Sequence, residues 1–552
     1  MMNILPDPMN PRLQFMAPPV FPGLGWQGPL DSLAYELEEV RAALLDFEKP
    51  LYILAKGDQV SLTSQGTPIL PPIGDTPGQR LVGTLAPTTP ETLGSPAFRE
   101  HYGCRYAYYA GAMANAIAST QLVITLSKAG ILASFGSAGL SPARLEEAIR
   151  VIQTALPHGP YAFNLIHSPN EPSMEHRTAE LYVQHNITTI EASAYLDLTL
   201  PLVYYRVAGL TTTPEGRIIA RNRLIAKLSR REVARLFMLP APADILNQLL
   251  AERKITPQQA ELSQHVPMAD DITVEADSGG HTDNRPLVCL LPSILALRDE
   301  MQIKLRYPVP IRIGAGGGIS TPVSAYAAFA MGSAYIVTGS VNQSCIEAGA
   351  SEHTRNLLAQ AEMADVIMAP AADMFEMGVK VQVLKRGTMF AMRASKLYEY
   401  YSRYPALEAI PAEDLEKLER TVFKRKIDEI WTDTQAFFRE RDPLQIKRAE
   451  KDPHQKMALI FRWYLGLSSR WSNSGEKGRE MDYQIWCGPS MGAFNDWVRP
   501  TYLAEPSNRR VVDIALHILT GAAYFSRLRQ LNAQGVHSPA ELECYTPQKP
   551  FS

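Results

Sequence analysis

Two glycine-rich loops in the middle of this 552-residue chain constrain its fold more than any other feature. The first, Gly314-Ala-Gly-Gly-Gly, follows the β-rich run at 309–313, and the second, Gly339-Ser340, follows the β-rich run at 334–337. When two neighbouring strands are each followed by a glycine-rich loop, the exposed backbone of the loops can direct several N–H groups at one anion. In an eight-stranded α/β barrel, the loops after strands seven and eight form such a phosphate site. The pattern therefore predicts a phosphate-binding barrel.

The spacing of these glycines argues against the other common phosphate-binding loops. A dinucleotide-binding fold would need glycine at 314 and 316 and glycine or alanine at 319, where the chain has Ile319. No Lys-Ser or Lys-Thr pair follows a suitable glycine loop, so a P-loop is not indicated either. Glycines also serve tight turns, and this purely structural interpretation of the loops stays open.

The composition is that of an ordinary globular protein, with 46% hydrophobic and 20% charged residues. A net charge of −3 argues against a nucleic-acid surface over the whole molecule. The five cysteines lie far apart without a CxxC pair, and the 11 histidines form no cluster. We therefore expect reduced thiols, a cytoplasmic location and no metal site. No apolar run approaches roughly 18 residues, so no membrane span is predicted.

The alternation of strand-like and helix-like segments divides the chain into four predicted parts. Residues 1–95 form an N-terminal appendage with a small hairpin, and residues 96–370 form a (β/α)8 TIM barrel. Residues 371–500 form a helical subdomain, inserted in or C-terminal to the barrel, and residues 501–552 a helix packing back on the barrel. The eight candidate strands are 107–112, 131–135, 161–165, 188–191, 217–227, 272–275, 309–313 and 334–337.

Three local signals predict the boundaries of individual elements. The hairpin of the appendage turns at Lys56-Gly57-Asp58. Ser229 and Glu232 have the spacing of a capping box at the start of a helix. Ser141-Pro142 marks another helix start, and the apolar stripe that follows consists of Leu145, Ala148, Ile149 and Ile152.

Ligand-binding side chains in such a barrel lie where the strands end. His281 follows Gly279 and Gly280 after strand six; the glycines let the backbone approach a flat ligand, and a histidine suits proton transfer near neutral pH. Asn164, after strand three, can donate and accept hydrogen bonds, and Lys227, after strand five, can supply positive charge. Each has a structural alternative, because histidines are often structural, Asn164 can cap a turn and Lys227 can form an ion pair.

Three further patterns carry less specific signals. The Ala112-Met113 turn after strand one is small enough for a flat ring to lie against it, or for helices to pack closely. Glu275 and Asp277 resemble a carboxylate pair, which alternation along a strand also explains. Ser490 is central in a GxSxG pattern, but residues 483–486 make a poor buried strand for a nucleophile elbow.

Five stretches of the chain together resemble one known family. They are EADSGGHTDNRP at 275–286, GAGGGIS at 314–320, YAYYAGAMAN at 106–115, SFGSAGL at 134–140 and CGPSMGAFNDW at 487–497. They closely resemble the PfaD family, the stand-alone or trans-acting enoyl reductases of polyunsaturated fatty acid synthases and trans-acyltransferase polyketide synthases. This family is related to flavin-dependent bacterial enoyl-acyl-carrier-protein reductases and nitronate monooxygenases. The likeness runs over most of residues 10–530.

The resemblance implies a TIM barrel that binds FMN and is interrupted by a helical subdomain. NADPH would reduce the FMN, and a hydride would then pass to the β-carbon of a trans-2-enoyl thioester. His281 matches the histidine of related enoyl reductases and would protonate the α-carbon or stabilise the enolate. The FMN phosphate would be held by Gly316, Gly317, Gly318, Gly339 and Ser340, and the ring would be bordered by Ala112, Met113, Asn164, Lys227, Gly279 and Gly280.

The resemblance also implies a partner. The substrate would be an acyl chain on an acyl carrier protein of a polyketide or polyunsaturated fatty acid synthase. Because carrier proteins are acidic, a positive docking patch is expected, and Lys424, Arg425 and Lys426 are candidates, although a solvated helix face explains them more simply. No nucleic acid or membrane partner is predicted. The oligomeric state stays open, with a homodimer among the options.

Three other functions remain open from the sequence. A nitronate monooxygenase-like flavin oxygenase shares the barrel and the phosphate loops, but it would consume oxygen and need no NADPH. A nucleotide-substrate dehydrogenase barrel needs a nucleophilic cysteine in the loop after strand six, whereas Cys289 lies in the apolar run at 287–291. A non-catalytic scaffold within a synthase complex would bind no flavin.

Overall fold

The structure is a computed structural model that describes residues 13–15, 24–70 and 79–551. The chain divides into two compact units. One comprises Ser95–Ser320 and Met331–Val512, and the other comprises Met1–Gly94, Thr321–Ala330 and Asp513–Ser552. The first of these units contains all eight strands of the predicted barrel.

Eight parallel strands close into a barrel, each pairing with the next along the chain and the last with the first. Every predicted strand overlaps an observed one, so the predicted (β/α)8 barrel is confirmed. The strands consist mainly of buried residues, as expected for parallel strands covered on both faces. They are Tyr108–Ala110, Leu132–Phe135, Ala162–Ile166, Thr189–Ser193, Arg223–Leu228, Asp271–Glu275, Arg312–Gly316 and Ile336–Thr338.

Amphipathic helices follow the barrel strands. Helix Pro142–Ala155 begins directly after Ser141, and the predicted stripe of four apolar residues is its buried face. The other helices that this unit contributes to the barrel region are Thr120–Lys128, Pro172–Gln184, Leu200–Ala208, Arg231–Met238, Ala243–Ala251, Pro257–Ser263, Leu287–Leu305 and Ser340–Gln343.

The predicted capping box of Ser229 and Glu232 is wrong, although a helix does follow it. Helix Arg231–Met238 has Arg230 at its N-cap, and no side chain caps it. The Ser229 hydroxyl donates instead to Asp283 Oδ2 at 2.6 Å. Arg230 pairs with the same carboxylate at 3.0 Å. The Ser229 hydroxyl is therefore engaged in a tertiary contact and does not cap the helix.

A three-stranded antiparallel sheet has one of its strands, Lys380–Leu384, in the segment 371–500 that the sequence patterns describe as helical. Val366–Pro370 pairs with Lys380–Leu384, and Lys380–Leu384 pairs with the short strand Gly280–His281. This pairing fixes the backbone of His281 opposite Val381. The surrounding helices are Glu352–Ala359, Phe390–Arg403, Ala412–Leu418, Ile427–Arg441, Pro443–Ala449, Pro453–Ser474 and Ser490–Val498.

The second unit is built on a five-stranded antiparallel sheet. The hairpin predicted at Lys56-Gly57-Asp58 is confirmed, and Gly57 adopts the positive φ of 61° that the turn requires. The strands are Leu24–Gln27, Leu51–Lys56, Gln59–Thr63, Thr67–Ile69 and Arg80–Leu85, and the helices are Leu37–Leu45, Pro322–Ala330 and, from residue 513, Val511–Ala533.

Helix Val511–Ala533 joins distant parts of the chain within this unit. Its fully buried Arg527 donates hydrogen bonds to the carbonyls of Leu44, Asp46 and Lys49, at the end of helix Leu37–Leu45. By length and composition alone the helix could span a membrane, but 78% of its apolar window is buried inside the protein. Packing therefore accounts for its apolar character.

Candidate active site

A cavity of 590 Å³ opens where the barrel strands end. Such a volume is typical of small-molecule sites, and the carboxyl ends of the strands are where barrels of this type carry their ligands. The twelve residues predicted for cofactor binding or proton transfer all line this cavity: Ala112, Met113, Asn164, Lys227, Gly279, Gly280, His281, Gly316, Gly317, Gly318, Gly339 and Ser340. The structure thus brings them together, while their individual roles stay predictions.

The two glycine loops leave open space beside their backbone. Gly317 and Gly318 have φ values of 86° and 76°, which glycine adopts without strain. A Cβ added to Gly317 would lie 2.6 Å from the Ala276 carbonyl carbon, so a side chain has no room there. A Cβ added to Gly318 or Gly339 would meet no atom within 4 Å. These two positions border a cradle that a ligand can fill.

Three buried polar atoms on the cavity wall have no hydrogen-bond partner among the described residues. They are Gln343 Nε2, Ser278 Oγ and Glu191 Oε1. Gln343 and Glu191 are each 2% exposed, so water does not easily satisfy them. Because buried polar groups are normally paired, these atoms indicate a ligand that supplies both acceptors and donors.

The turn after barrel strand one is held by Glu191, a residue that the sequence patterns do not single out. Its Oε2 accepts hydrogen bonds from the Tyr109 hydroxyl at 2.5 Å and the Ala112 amide at 2.9 Å. Asn164 lies alongside and donates to the Glu191 carbonyl at 3.1 Å and to Ser193 Oγ at 2.7 Å. This buried network fixes one polar edge of the cavity.

Lys227 forms an ion pair with Glu275, with 2.9 Å between Nζ and Oε1. Burial disfavours the charge on Lys227, but the carboxylates of Glu275 and Glu191 outweigh it and raise its pKa. The ammonium group therefore stays charged on the cavity wall. Glu275 and Asp277 resemble a carboxylate pair in the sequence, but they have different partners. Asp277 accepts a hydrogen bond from Gln382 at 2.7 Å.

His281 faces the cavity and pairs with Asp373, with 3.2 Å between Nε2 and Oδ1. Burial alone would lower the pKa of His281, but the Asp373 carboxylate outweighs burial, and the pKa is raised. In turn, burial opposes the charge on Asp373, and His281 more than compensates, so the pKa of Asp373 is lowered. The pair favours imidazolium and carboxylate together.

The glycines beside His281 also serve packing. A Cβ on Gly279 would lie 2.8 Å from the Cys487 amide nitrogen, so this loop packs backbone against backbone on residues 487–488. Gly280 has a φ of 82°. The Gly488 amide donates to Ser340 Oγ at 3.1 Å, which leaves the Ser340 hydroxyl hydrogen for another acceptor.

A second wall of the cavity comes from helices Ile427–Arg441 and Pro453–Ser474, and the sequence patterns give no sign of it. Asn115, in the turn after strand one, donates to Ser469 Oγ at 2.7 Å and so ties this wall to the barrel loops. The wall is mainly aromatic, aliphatic and cationic: Phe437, Phe438, Leu459, Trp463, Leu467, Arg441, Arg462 and Arg470.

The three basic residues considered for carrier-protein docking are engaged locally. Lys424 donates to the Gly478 carbonyl at 2.5 Å, and Arg425 pairs with Asp433 at 2.6 Å. Lys426 pairs with Glu419 at 2.8 Å. Lys424 also lies 3.5 Å from Asp482, so each of the three cations has a neighbouring carboxylate, and the structure favours the solvated helix face over a docking patch.

Two other chemistries lack support among the described residues. No group of three or more His, Cys, Asp or Glu side chains in these parts of the chain could hold a metal ion. Ser490 lies on the cavity wall at the start of helix Ser490–Val498, but it forms no hydrogen bond with a described histidine. A serine nucleophile would need such a base.

Three family models match successive parts of the chain. The nitronate monooxygenase family matches residues 100–403, which is more than half of the chain. The N-terminal domain of fatty acid synthase subunit PfaD matches residues 26–78. The inserted helical domain of acyl-carrier-protein S-malonyltransferase matches residues 404–483.

Several characterised proteins are similar to this chain. One polyunsaturated fatty acid synthase subunit of Thraustochytrium sp. is 47% identical over 511 residues, covering 91% of this chain and 33% of that protein. Polyketide biosynthesis protein PksE of Bacillus subtilis is 45% identical over 453 residues, covering 82% of this chain and 58% of that protein. The chain thus spans 24% to 58% of the length of the curated relatives it matches.

A solved structure adds a match over a whole domain. The enoyl reductase domain of MlnA, from the macrolactin biosynthesis cluster of Bacillus amyloliquefaciens, is 39% identical with a TM-score of 0.76. The match covers 80% of this chain and 99% of that domain. The closed barrel and its match over residues 100–403 define an oxidoreductase of the nitronate monooxygenase class. Within that class the chain belongs to the PfaD family.

Proposed function

We propose that the chain is an FMN-dependent enoyl reductase that uses NADPH to reduce the α,β double bond of carrier-bound enoyl thioesters. The observation that carries this proposal is one cavity lined by two glycine loops and by a histidine paired with aspartate. A reductase of this type needs an anchor for a phosphate-bearing cofactor and a proton donor beside it. The relative named as an enoyl reductase domain supports the same reaction.

The residues of the cavity fit FMN. Gly318 and Gly339 border open space, Gln343 Nε2 is a buried donor without a partner among the described residues, and Glu191 Oε1 is a matching acceptor. Gly318, Gly339 and Gln343 Nε2 suit a phosphate, and Glu191 Oε1 suits an N–H group of a ring. When bound, FMN would supply the hydride chemistry between NADPH and the enoyl β-carbon.

His281 would hold the proton that the substrate α-carbon receives. The Asp373 carboxylate raises its pKa, which favours the protonated imidazole and suits it to act as a general acid. Asp373 would act through His281, as a positioning residue, because its side chain is hydrogen-bonded to that ring. The strand pairing of His281 with Val381 fixes the backbone from which the ring projects.

The proposed substrates are enoyl chains of polyketide or polyunsaturated fatty acid synthesis on acyl carrier protein domains. Support comes from relatives named as polyunsaturated fatty acid synthase subunits and as a polyketide biosynthesis protein. The apolar wall with Phe437, Leu459 and Trp463 suits the hydrocarbon part of such a chain. The proposed location is the cytoplasm, consistent with five free cysteines.

An absorbance spectrum of the purified protein tests the proposal. We expect a flavin band that bleaches when NADPH is added without oxygen and returns when an enoyl-carrier substrate follows. A protein that stays colourless after incubation with FMN would contradict the cofactor. A band that NADPH bleaches but only oxygen restores would contradict the enoyl substrate.

A nitronate monooxygenase-like flavin oxygenase is the second candidate function. The observation in its favour is the match of residues 100–403 to the nitronate monooxygenase family. Such an enzyme would consume oxygen with a nitronate and would need no NADPH. An oxygen electrode with a nitronate substrate separates the two functions, and we expect negligible NADPH-independent oxygen uptake.

Asp373→Asn is expected to move the high-pH limit of enoyl reduction to lower pH. The acid form of His281 is lost as pH rises through its pKa, and Asp373 raises that pKa against the opposing effect of burial. Without the carboxylate, the pKa falls and the acid is lost sooner. The measurement is kcat/KM against pH, with activity near the low-pH plateau largely retained.

Two variants control this experiment. Asp373→Glu keeps a carboxylate and should restore part of the pH range. Asp496→Asn removes an exposed carboxylate that pairs only with Arg499 among the described residues, and it should leave the profile unchanged. An Asp373→Asn profile that overlies the original would remove Asp373 from the proposed role.

A further inference from the structure

The cavity wall formed by helices Ile427–Arg441 and Pro453–Ser474 carries more positive than negative charge. Arg441 pairs with Glu171, and Arg462 pairs with Glu376 at 3.0 Å and with Glu171 at 3.5 Å. These two cations are therefore compensated by two carboxylates. Asp433, an acidic residue that these two helices contribute to the cavity, forms an ion pair with Arg425.

Arg470 adds a cation without a partner of opposite charge. Neither Arg470 nor the nearby Arg144 forms an ion pair with a described carboxylate, and Arg470 donates only to the Gly139 carbonyl, at 3.2 Å. Burial, and then the positive charges of Arg441 and Arg144, lower the pKa of Arg470, and the Glu171 carboxylate opposes this shift. A guanidinium still stays protonated at neutral pH, so Arg441 and Arg470 place two like charges on the cavity wall.

An aromatic ring lies under two of these cations. The guanidinium carbon of Arg441 is 5.4 Å from the centroid of the Phe437 ring, and that of Arg470 is 5.8 Å from the same centroid. The Phe437 side chain is 41% exposed, although it is large and apolar. The ring positions both guanidinium groups and leaves their remaining N–H donors for an anion.

We propose that Arg470, with Arg441, binds a phosphate group carried by a ligand of this cavity. The proposal rests on the proposed reductase function, because both ligands of that reaction carry phosphate. One source is the 2′-phosphate of NADPH, and the other is the phosphodiester of a phosphopantetheine arm. Two neighbouring guanidinium groups lie over one ring, and that of Arg470 forms no ion pair with a described carboxylate. Their positive charge matches a phosphate, and guanidinium forks match its geometry.

Arg470→Gln tests the site by direct binding. The probes are adenosine 2′,5′-bisphosphate against adenosine 5′-monophosphate, and 4′-phosphopantetheine against pantetheine, each titrated calorimetrically into the purified protein. We expect the member of one pair that carries the additional phosphate to bind the original protein more tightly than its counterpart. Arg470→Gln should weaken that binding by roughly tenfold to a hundredfold and leave the affinity of the counterpart without the additional phosphate unchanged. Added salt should reduce the difference.

The controls separate charge from folding. Arg470→Lys keeps the charge without the planar fork and should retain an intermediate affinity. Arg439→Gln removes an exposed cation from the same helix as Arg441 but away from the cavity, and it should change nothing.

Each outcome decides the question. A loss confined to adenosine 2′,5′-bisphosphate assigns the site to the nucleotide, and a loss confined to 4′-phosphopantetheine assigns it to the carrier arm. Equal affinity of both pair members, or affinities that Arg470→Gln does not change, would overturn the proposal. Phosphate-dependent binding in a protein without reductase activity would refute the proposed function and leave this site standing.

Discussion

Gly339→Asp is expected to give folded protein that carries little or no FMN. Gly339 has a φ of −135°, outside the left-handed region, and an added Cβ meets no atom within 4 Å. The new carboxylate would therefore enter the cradle proposed for the phosphate. Placing like charges together costs several kcal/mol, and about 3 kcal/mol corresponds to an affinity roughly a hundredfold lower. The flavin content per protein, measured by absorbance, checks this result.

Two glycine variants define what the result means. Gly339→Ala adds only a methyl group and should keep most of the flavin. Gly317→Asp should also lose flavin, but the added Cβ lies 2.6 Å from the Ala276 carbonyl carbon, so loss of folding contributes there. Full flavin occupancy in Gly339→Asp, with an unchanged circular dichroism spectrum, would show that the phosphate does not bind at this loop.

His281→Ala is expected to slow enoyl turnover by about 10²- to 10⁴-fold, which is the usual contribution of a general acid. Flavin reduction by NADPH should stay within a few-fold of normal, because the proposed role of His281 begins with the substrate proton. Rapid mixing under anaerobic conditions measures the two half-reactions separately. His281→Gln, which keeps a polar side chain without an acid near neutral pH, should be slow as well.

The choice of control matters because His281 belongs to a pair. Removing the imidazole leaves Asp373 without the partner to which it is bonded. The double variant His281→Ala with Asp373→Asn removes both charges, and it should be no slower than His281→Ala alone. Equal losses in both half-reactions would instead indicate a damaged cavity and would exclude a specific proton-transfer role.

The barrel was predictable because its signals are local. Strand Leu132–Phe135, for example, is buried at every position and has a glycine close to each end. Apolar runs and glycines that lie close together in the sequence therefore predict the strand and its turns. The strand Lys380–Leu384 also alternates polar and apolar residues, but it lies among strongly helical segments and is only five residues long. Short strands of this kind depend on their partners for stability, which the sequence does not show.

The candidate site was predictable only where a glycine, the end of a strand or a family motif marked it. His281 follows two glycines, whereas Asp373 lies 92 residues further along the chain and reaches the ring through tertiary folding. Glu191 occupies an ordinary position in a barrel strand, and Arg470 one on a long helix. Their importance comes from which groups surround them, and no local pattern carries that information.

The buried Arg527 has a consequence for how the protein is made. Its hydrogen bonds reach carbonyls at Leu44, Asp46 and Lys49, and Tyr524 and Leu528 share a hydrophobic core with the first sheet. A ribosome releases helix Val511–Ala533 hundreds of residues after that sheet. While the residues between them are synthesised, the apolar face of the sheet stays uncovered, a state that promotes aggregation. We therefore expect a larger supply of chaperones during expression to raise the yield of folded protein.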